Sequence, residues 1–302
     1  MSYNLITILG PTAVGKTRLG ALLANRFNGE IISADSRQVY IGMDIGTGKD
    51  LGDYTVDGKT VPFHLVDVIE PGEEFNLFMF NKLFYELFDK IISRRQIPFL
   101  VGGTGLYLHS ILKGYELNEI NFNQERFNEL ERLELPELTG LLRKHNPALH
   151  NTTDLLIKER VIRAIMITEN QNEVKPAGKA QINSLVIGIK LERDEIKRRI
   201  TERLKQRLQN GMIDEVKKLV DQGVSYERLD LFGLEYKFIG KHLRGGLSYN
   251  DMFQKLNSAI YDFAKRQMTW FRKMEREGIN IEWIDGPDYE AAEKTIFQKY
   301  FS

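Results

Sequence analysis

The chain has 302 residues, with 42 Lys and Arg against 42 Asp and Glu, and it contains no cysteine. This length supplies one large or two modest domains, and the lack of cysteine excludes disulfides, thiolate metal ligands and a cysteine nucleophile. A net charge of zero argues against a uniformly basic nucleic-acid-binding surface but leaves room for local basic patches. The opening residues have no basic flank and no apolar run approaches about 20 residues, so we expect a cytoplasmic protein without a membrane span.

Hydrophobic patterning predicts alternating strands and helices in the first third of the chain. An apolar run at Leu5–Leu9 leads through a glycine loop into a helix over Thr17–Phe27, and a β-type run follows at Glu30–Ala34. This order is typical of an α/β unit with a parallel sheet. An amphipathic helix over Phe75–Arg95, whose aromatic residues we expect in the core, then precedes a buried strand at Ile97–Val101.

The character of the chain changes after this strand and a further helix over Gly105–Leu112. Residues 114–184 are polar, have helical periodicity and contain no strand-like run, which indicates a helical insertion. A strand at Leu185–Ile189 resumes the α/β pattern, and long helices follow at Ile196–Gln222 and Tyr249–Glu277. The predicted domains are an α/β core of residues 1–113 and 185–302, closed by a strand at Asn280–Ile284, and the insertion of residues 114–184.

The loop after the first strand matches the phosphate-loop pattern G-x-x-x-x-G-K-[ST] in full. Its members are Gly10, Pro11, Thr12, Ala13, Val14, Gly15, Lys16 and Thr17. The N–H groups of such a loop and the following helix N-terminus bind phosphate oxygens. We therefore expect Lys16 to contact a diphosphate or triphosphate, and the Thr17 hydroxyl to be a ligand of Mg²⁺.

Polar residues follow the next two strands of the predicted sheet. Asp35 comes directly after Glu30–Ala34, and Thr104 follows Ile97–Val101 between two glycines. Because the carboxyl ends of parallel strands share one edge with the phosphate loop, both side chains are expected beside the bound phosphates. An alternative role for Asp35 is to cap the next turn. The glycines at the end of the third strand, in place of an acidic residue, count against a kinase or NTPase.

Eight segments of the chain resemble the tRNA dimethylallyltransferases, also called tRNA isopentenyltransferases. In chain order they are GPTAVGKT, ISADSRQVY, GMDIGTGK, HLVDV, VGGTGLYL, ERVIRAI, RRITERLKQRLQNGMIDEV and AKRQMTWFR, and the similarity extends from about Thr7 to Ile284. The resemblance implies a P-loop NTPase-like α/β fold, with a parallel sheet flanked by helices and a helical insertion domain. It also implies transfer of the dimethylallyl group from dimethylallyl diphosphate to N6 of the adenosine 3′ of the anticodon, position 37, in tRNAs that read codons beginning with U.

The chemistry of that reaction matches several of these residues. Adenine N6 is a weak nucleophile, so a carboxylate that accepts its proton would assist it, and Asp35 is the candidate general base. By resemblance, Thr104 contacts the substrate near the reacting centre and Arg203 contacts the diphosphate. Arg199 and Arg203 share one helix face, which Arg207 extends. The catalytic residues predicted are therefore Asp35, Thr104 and Arg203.

The resemblance further implies a set of tRNA contacts, with the insertion closing over the anticodon stem-loop. They are Asp35, Ser36, Arg37, Gln38, Thr104, Arg126, Glu159, Arg160, Val161, Ile162, Arg163, Phe232, Gly233, Leu234, Glu235, Tyr236 and Lys237. Glu235 stands where the family has glycine, and its charge is expected to repel a phosphate. The family's Thr-Arg pair before AKRQ is missing, which leaves Lys265, Arg266, Gln267 and Arg272 as the basic remnant of that segment.

Other functions remain open on the sequence. An adenylate isopentenyltransferase acting on free AMP, ADP or ATP would share the phosphate loop, Asp35 and Thr104, and a P-loop nucleotide kinase or a non-catalytic RNA-binding module would share the loop. The insertion and the basic C-terminal helices favour the RNA enzyme. The five histidines lack metal-ligand spacing, and Trp270 and Trp283 are expected to pack against helices. We expect a monomer, with Mg²⁺ as cofactor and dimethylallyl diphosphate and a tRNA anticodon stem-loop as partners.

Overall fold

A computed structural model describes residues 2–117, 123–145, 155, 158–169 and 180–301, without the side chains of Glu159, Arg160 and Ile167. It divides into two compact units: residues 1–115 with 180–302, and residues 116–179. The predicted insertion, 114–184, begins and ends a few residues outside the second unit. None of the described helices is long and apolar enough to cross a membrane.

A parallel sheet of six strands forms the centre of the larger unit, as far as the described residues show. Its strands are β1 (Leu5–Leu9), β2 (Gly29–Ala34), β5 (Phe63–His64), β6 (Ile97–Gly102), β7 (Ser184–Lys190) and β8 (Ile281–Asp285), in the order β5-β2-β6-β1-β7-β8. The short strands β3 (Thr55–Val56) and β4 (Lys59–Thr60) form a separate hairpin. The central strands are buried along their length because helices cover both faces of the sheet, which explains their continuous apolar runs.

The larger unit has helices on both faces of this sheet and further helices that pack against one another. They are α1 (Lys16–Arg26), α2 (Leu77–Ser93), α3 (Gly105–Leu112), α7 (Arg193–Gln209), α8 (Met212–Asp221), α9 (Tyr226–Phe232), α10 (Leu234–Leu243), α11 (Tyr249–Arg276) and α12 (Tyr289–Lys299), with a 3₁₀ turn at Leu51–Tyr54. Side chains of α1 and α12 share one core with the sheet. Those of α2, α3 and the C-terminal part of α11 share the other, which holds the aromatic residues of α2 as expected. The P-loop NTPase-like α/β fold is thereby confirmed.

One predicted helix is divided in two. The sequence predicts a single helix over Ile196–Gln222, but α7 ends at Gln209 and α8 begins at Met212. Gly211 lies between them with φ +94°, in the left-handed region that glycine adopts without steric cost. The break lets α8 turn back, so that Met212 and Val216 pack in a third core with α9, α10 and the N-terminal part of α11.

The smaller unit contains the helices α4 (Gln124–Glu131), α5 (Leu135–His145) and α6 (Lys158–Glu169). They bury a core of their own that includes Leu130, Leu138, Leu142 and Ile165. The apolar residues recur along each helix at a spacing that brings them to one face. Most of the described residues of the segment predicted from its helical periodicity therefore lie in helices.

Candidate active site

The phosphate loop joins β1 to the N-terminus of α1. Ala13 and Gly15 both have positive φ, +67° and +87°, and α1 begins at Lys16. This curled backbone turns successive N–H groups toward one side, where the dipole of α1 adds positive potential. The loop therefore has the form of an anion-binding site, as its sequence predicts.

Three cationic side chains converge on the loop. Burial lowers the pKa of Lys16 to about 8, an effect that Asp35 opposes and that Arg203 and Arg207 reinforce. Burial, followed by the charge of Arg207, lowers the pKa of Arg203 to about 10. The guanidinium of Arg203 donates a hydrogen bond to the Thr12 hydroxyl. A dianion beside these groups would relieve the repulsion between them, so the site is electrostatically prepared for a diphosphate.

Two adjoining cavities lie at this edge of the sheet. The first, which we call the loop chamber, has a volume of about 320 Å³ and includes Thr17 and Arg199 in its wall. The second, which we call the α11 chamber, has a volume of about 280 Å³ and includes Thr104 and Trp270. The residues that line both chambers are Thr12, Lys16, Asp35, Thr47 and Arg203. The two chambers therefore adjoin beside the phosphate loop, with Asp35 in the wall of both.

Asp35 and Thr104 are held by the ends of neighbouring strands. The Asp35 Oδ1 accepts a hydrogen bond of 3.0 Å from the N–H of Arg37, so the turn-capping alternative is also realised. The Thr104 hydroxyl accepts from the N–H of Ser36 at 3.0 Å, and the Thr104 N–H donates to the Ala34 carbonyl at 3.1 Å. These contacts hold Asp35 at the chamber junction and Thr104 in the wall of the α11 chamber.

Glu235 does not oppose an anion as its charge alone suggests. Its carboxylate is buried, at 5% exposure, and accepts a 3.1 Å hydrogen bond from the Arg37 guanidinium. The same guanidinium lies 4.7 Å from the centre of the Phe263 ring. The positive charge of Arg37 offsets the charge that was expected to repel a phosphate, and the pair forms part of the wall of the α11 chamber.

Several predicted tRNA contacts of the larger unit support the wall instead of facing the chambers. Phe232 and Tyr236 are buried in the third core, so a contact with RNA in this segment rests on Gly233, Leu234 and Lys237, which are partly exposed. The Tyr236 hydroxyl donates to Glu215 at 2.7 Å. The Glu215 carboxylate accepts three consecutive backbone N–H groups of residues 44–46, at 2.7 to 2.9 Å.

The hydrogen bonds of Glu215 fix the loop of residues 44–48, part of which lines the loop chamber. Thr47 directly follows the three bonded residues, and Gln38 donates to the carbonyl of Gly48 at 3.0 Å. Nothing in the spacing of the sequence marks Glu215, because its partners come from a different segment of the chain.

The predicted tRNA contacts of the smaller unit include an ion-paired arginine, two buried apolar residues and a partly exposed arginine. Arg126 forms a two-point ion pair with Glu169, at 2.7 and 3.1 Å, and a third contact with Glu129, which together raise the pKa of Arg126. Val161 and Ile162 are each 1% exposed in the core of that unit, so their side chains face away from any RNA. Arg163 is partly exposed, and the side chains of Glu159 and Arg160 lie outside the described residues.

The loop chamber suits a magnesium–diphosphate complex. Its wall includes Thr17, Asp50 and Asp53. Among the described residues, no cluster of three or more carboxylate or histidine side chains could bind a metal ion by itself. Mg²⁺ keeps several waters and uses few protein ligands when phosphate oxygens supply the rest. The residues present therefore fit an ion held mainly by the substrate and the Thr17 hydroxyl.

Two residues of α11 have roles that the sequence does not reveal. Trp270, expected to pack between helices, contributes its ring to the α11 chamber and covers Gly105. Gln267, grouped with the basic residues of its segment, is buried and bonded to the phosphate loop. Trp283, by contrast, packs against Phe271 in the core, as expected.

The fold and the site together define a P-loop α/β protein with two adjoining cavities beside its phosphate loop. A family model described as IPP transferase matches residues 38–274. A tRNA dimethylallyltransferase 1 from Geotalea uraniireducens (strain Rf4) is 52% identical over 286 residues, which cover 95% of this chain and 94% of the relative. The chain therefore belongs to the IPP transferase family, as the motifs of its sequence imply.

Solved structures agree with this assignment. The tRNA isopentenylpyrophosphate transferase from Bacillus halodurans aligns with a TM-score of 0.70 and 35% identity, covering 98% of this chain and 94% of that one. A eukaryotic dimethylallyltransferase, described as acting on tRNA, has a TM-score of 0.76 at 22% identity, covering 98% of this chain and 77% of that one. The second match shows the shared fold alone.

Proposed function

We propose that this chain transfers the dimethylallyl group of dimethylallyl diphosphate to N6 of adenosine 37 in tRNAs that read codons beginning with U. The observation that carries the proposal is the junction of the two chambers, where Lys16, Arg203 and Asp35 face the same space. Cations stabilise a leaving diphosphate, and a carboxylate beside them can accept the proton that the nucleophile loses. Relatives that are half identical over nearly the whole chain bear the corresponding name.

The loop chamber would bind the diphosphate. Loop N–H groups, Lys16 and Arg203 would stabilise the negative charge that develops as the bond between C1 and the ester oxygen breaks. Thr17 and the phosphate oxygens would hold Mg²⁺, which supplies further stabilisation of the leaving group when bound. These donors are in place before the reaction, so little reorganisation is needed at the transition state.

The α11 chamber would receive the adenine base. Its volume suits a single extruded base, and Phe263 and Trp270 offer aromatic surfaces against which an unstacked base can pack. As N6 forms its bond to C1, the Asp35 carboxylate would accept the N6 proton. The Thr104 hydroxyl, beside Asp35, would position the base.

The reaction is complete within one chain, since all of these side chains come from the larger unit, and we propose a monomer. We also propose a cytoplasmic location, where the proposed tRNA substrate is available. The alternative of free AMP, ADP or ATP as acceptor is not favoured, because the matched relatives are named for tRNA. A kinase is disfavoured for the same reason.

A direct assay distinguishes these alternatives. The purified chain, Mg²⁺ and dimethylallyl diphosphate are incubated with an anticodon stem-loop carrying A36 and A37, with a matched stem-loop carrying G37, or with AMP. Nucleoside mass spectrometry should detect N6-dimethylallyladenosine only in the first RNA. Modification of AMP but not the stem-loop would establish the free-nucleotide enzyme. In a parallel incubation with ATP, phosphate transfer to AMP without prenylation would establish the kinase.

Codon selection is tested with one further RNA. The first codon base pairs with position 36, so tRNAs that read codons beginning with U carry A36. Replacing A36 by G36 should lower kcat/KM, and equal rates for the two RNAs would contradict the proposed tRNA range.

A further inference from the structure

Gln267 lies on α11 with its amide buried between two segments of the active site. Its side chain is among the few buried polar groups, at 5% exposure. The Oε1 accepts a 2.8 Å hydrogen bond from the N–H of Thr12, and the Nε2 donates a 2.8 Å hydrogen bond to the carbonyl of Gly103. Thr12 offers a donor and Gly103 an acceptor, so the two partners fix which way the amide points.

These two hydrogen bonds connect the walls of the two chambers. Thr12 belongs to the phosphate loop, and its hydroxyl accepts from Arg203 on the diphosphate side. Gly103 directly precedes Thr104, whose hydroxyl accepts from Ser36 beside Asp35 on the base side. A continuous series of contacts therefore runs from the diphosphate-binding arginine to the candidate base, and Gln267 is its central member.

The space around the amide is closely fitted. A Cβ placed on Gly103 would lie 2.4 Å from the Gln267 Nε2 and 3.0 Å from the carbonyl oxygen of Gly10. The first separation is too short for non-bonded atoms and the second is tight, so the strand end lies against the amide and the phosphate loop with little room for a larger side chain. β1 and β6 are paired as far as Leu9 and Gly102, and beyond that pairing the Gln267 amide, from a third segment of the chain, bonds the phosphate loop to the strand end.

We propose that Gln267 is a positioning residue that fixes the phosphate loop relative to Thr104 and Asp35, so that N6 of the bound adenine faces C1 of the prenyl diphosphate. The inference rests on the proposed function. Gln267 lies in the wall of the α11 chamber, but its amide is bonded to Thr12 and Gly103, and in this account it acts through those two residues. A shift of about 1 Å in such an alignment can reduce a rate about 100-fold.

Misalignment has a specific chemical consequence. The bond between C1 and the ester oxygen can still break, because the diphosphate site is intact, but N6 no longer occupies the position of attack. A water oxygen then forms the new bond to C1 and releases its proton, which gives dimethylallyl alcohol and diphosphate. The fraction of prenyl groups that end as alcohol therefore reports alignment directly.

The test compares Gln267→Met, which keeps a similar length but loses both hydrogen bonds, with Gln254→Met on the exposed face of the same helix. Kinetics with the A36, A37 stem-loop are measured together with the ratio of alcohol to prenylated RNA. We expect Gln267→Met to lower kcat about 100-fold, to leave KM for dimethylallyl diphosphate unchanged and to raise the alcohol fraction. Gln254→Met should match the wild type in all three.

Three outcomes would overturn the inference: an unchanged kcat, an unchanged alcohol fraction despite a lower kcat, or a rise in KM that alone explains the loss. Should Gln267→Met not fold, as judged by thermal unfolding, Gln267→Glu carries the same test, because it keeps the acceptor for Thr12 but opposes the Gly103 carbonyl with a second acceptor. Failure of the wild-type chain to prenylate the stem-loop would instead refute the proposed function.

Discussion

Raising the pH above 8 should weaken the binding of dimethylallyl diphosphate to the free protein. Burial lowers the pKa of Lys16 to about 8, whereas that of Arg203 stays near 10. Between pH 7 and pH 9 Lys16 therefore changes from charged to neutral while Arg203 remains charged. Only the protonated lysine attracts the phosphate oxygens strongly, so the diphosphate binds best at the low end of this range.

The size of the effect follows from the titration of one group. With a pKa of about 8, roughly one tenth of the Lys16 side chains are neutral at pH 7 and roughly nine tenths at pH 9. If the bound state requires the proton, Kd rises about tenfold between these two pH values. The measurement is isothermal titration calorimetry with dimethylallyl diphosphate in buffers of different ionisation enthalpy, which also counts the protons taken up on binding.

Stability should respond to pH in the opposite direction. The pKa of Lys16 is lower in the folded state than its ordinary value of 10.5, so the unfolded chain binds more protons between about pH 8 and pH 10.5. The contribution of this group to folding therefore becomes more favourable as pH rises. Lys16→Arg, which stays charged at pH 9, should remove the pH dependence of binding. A wild-type Kd that is constant or falls from pH 7 to pH 9 would refute the reasoning.

Three further changes test other parts of the site. Asp35→Asn should lower kcat by about 10² to 10⁴ while calorimetry shows unchanged affinity for dimethylallyl diphosphate; loss of both would make Asp35 a residue of the diphosphate site. Arg37→Ala should lower the free energy of unfolding in urea by about 3 kcal/mol, because Glu235 is left buried without its partner. The double variant Arg37→Ala, Glu235→Gln should recover part of this loss. Strict additivity of the two single-variant effects would show that the pair is not coupled. Removal of Mg²⁺ by EDTA should abolish prenyl transfer and excess Mg²⁺ should restore it, whereas full activity in EDTA would exclude the ion from the reaction.

The parts of the site that the sequence predicts are those that short segments determine. The phosphate loop is eight consecutive residues, and Asp35 and Thr104 each follow a strand whose apolar run is easily recognised. Parallel pairing of β2 with β6 then brings their carboxyl ends together, with Ala34 opposite Gly102. Hydrophobic periodicity and strand direction are therefore enough to predict that the phosphate loop, Asp35 and Thr104 lie together.

Contacts between distant segments cannot be predicted from short sequence patterns. Gln267 bonds to Thr12, which is 255 residues away, and Glu235 pairs with Arg37 across 198 residues. Whether a buried carboxylate repels a nearby anion depends on whether a cation is paired with it. That pairing depends in turn on how helices distant in sequence, such as α10 and α11, pack in the fold. The division of the helix after Gln209 was missed for a different reason, because apolar periodicity continues across Gly211.

The central claim is that the phosphate loop and Asp35 act on the two substrates from opposite sides of one junction. The most direct measurement is a crystal structure with Mg²⁺, a non-reactive thiolo analogue of dimethylallyl diphosphate and an A36, A37 stem-loop. The account predicts the diphosphate on the loop N–H groups and Lys16, with N6 of A37 at hydrogen-bond distance from the Asp35 carboxylate. A diphosphate bound elsewhere, or an adenine whose N6 faces a group other than Asp35, would contradict it.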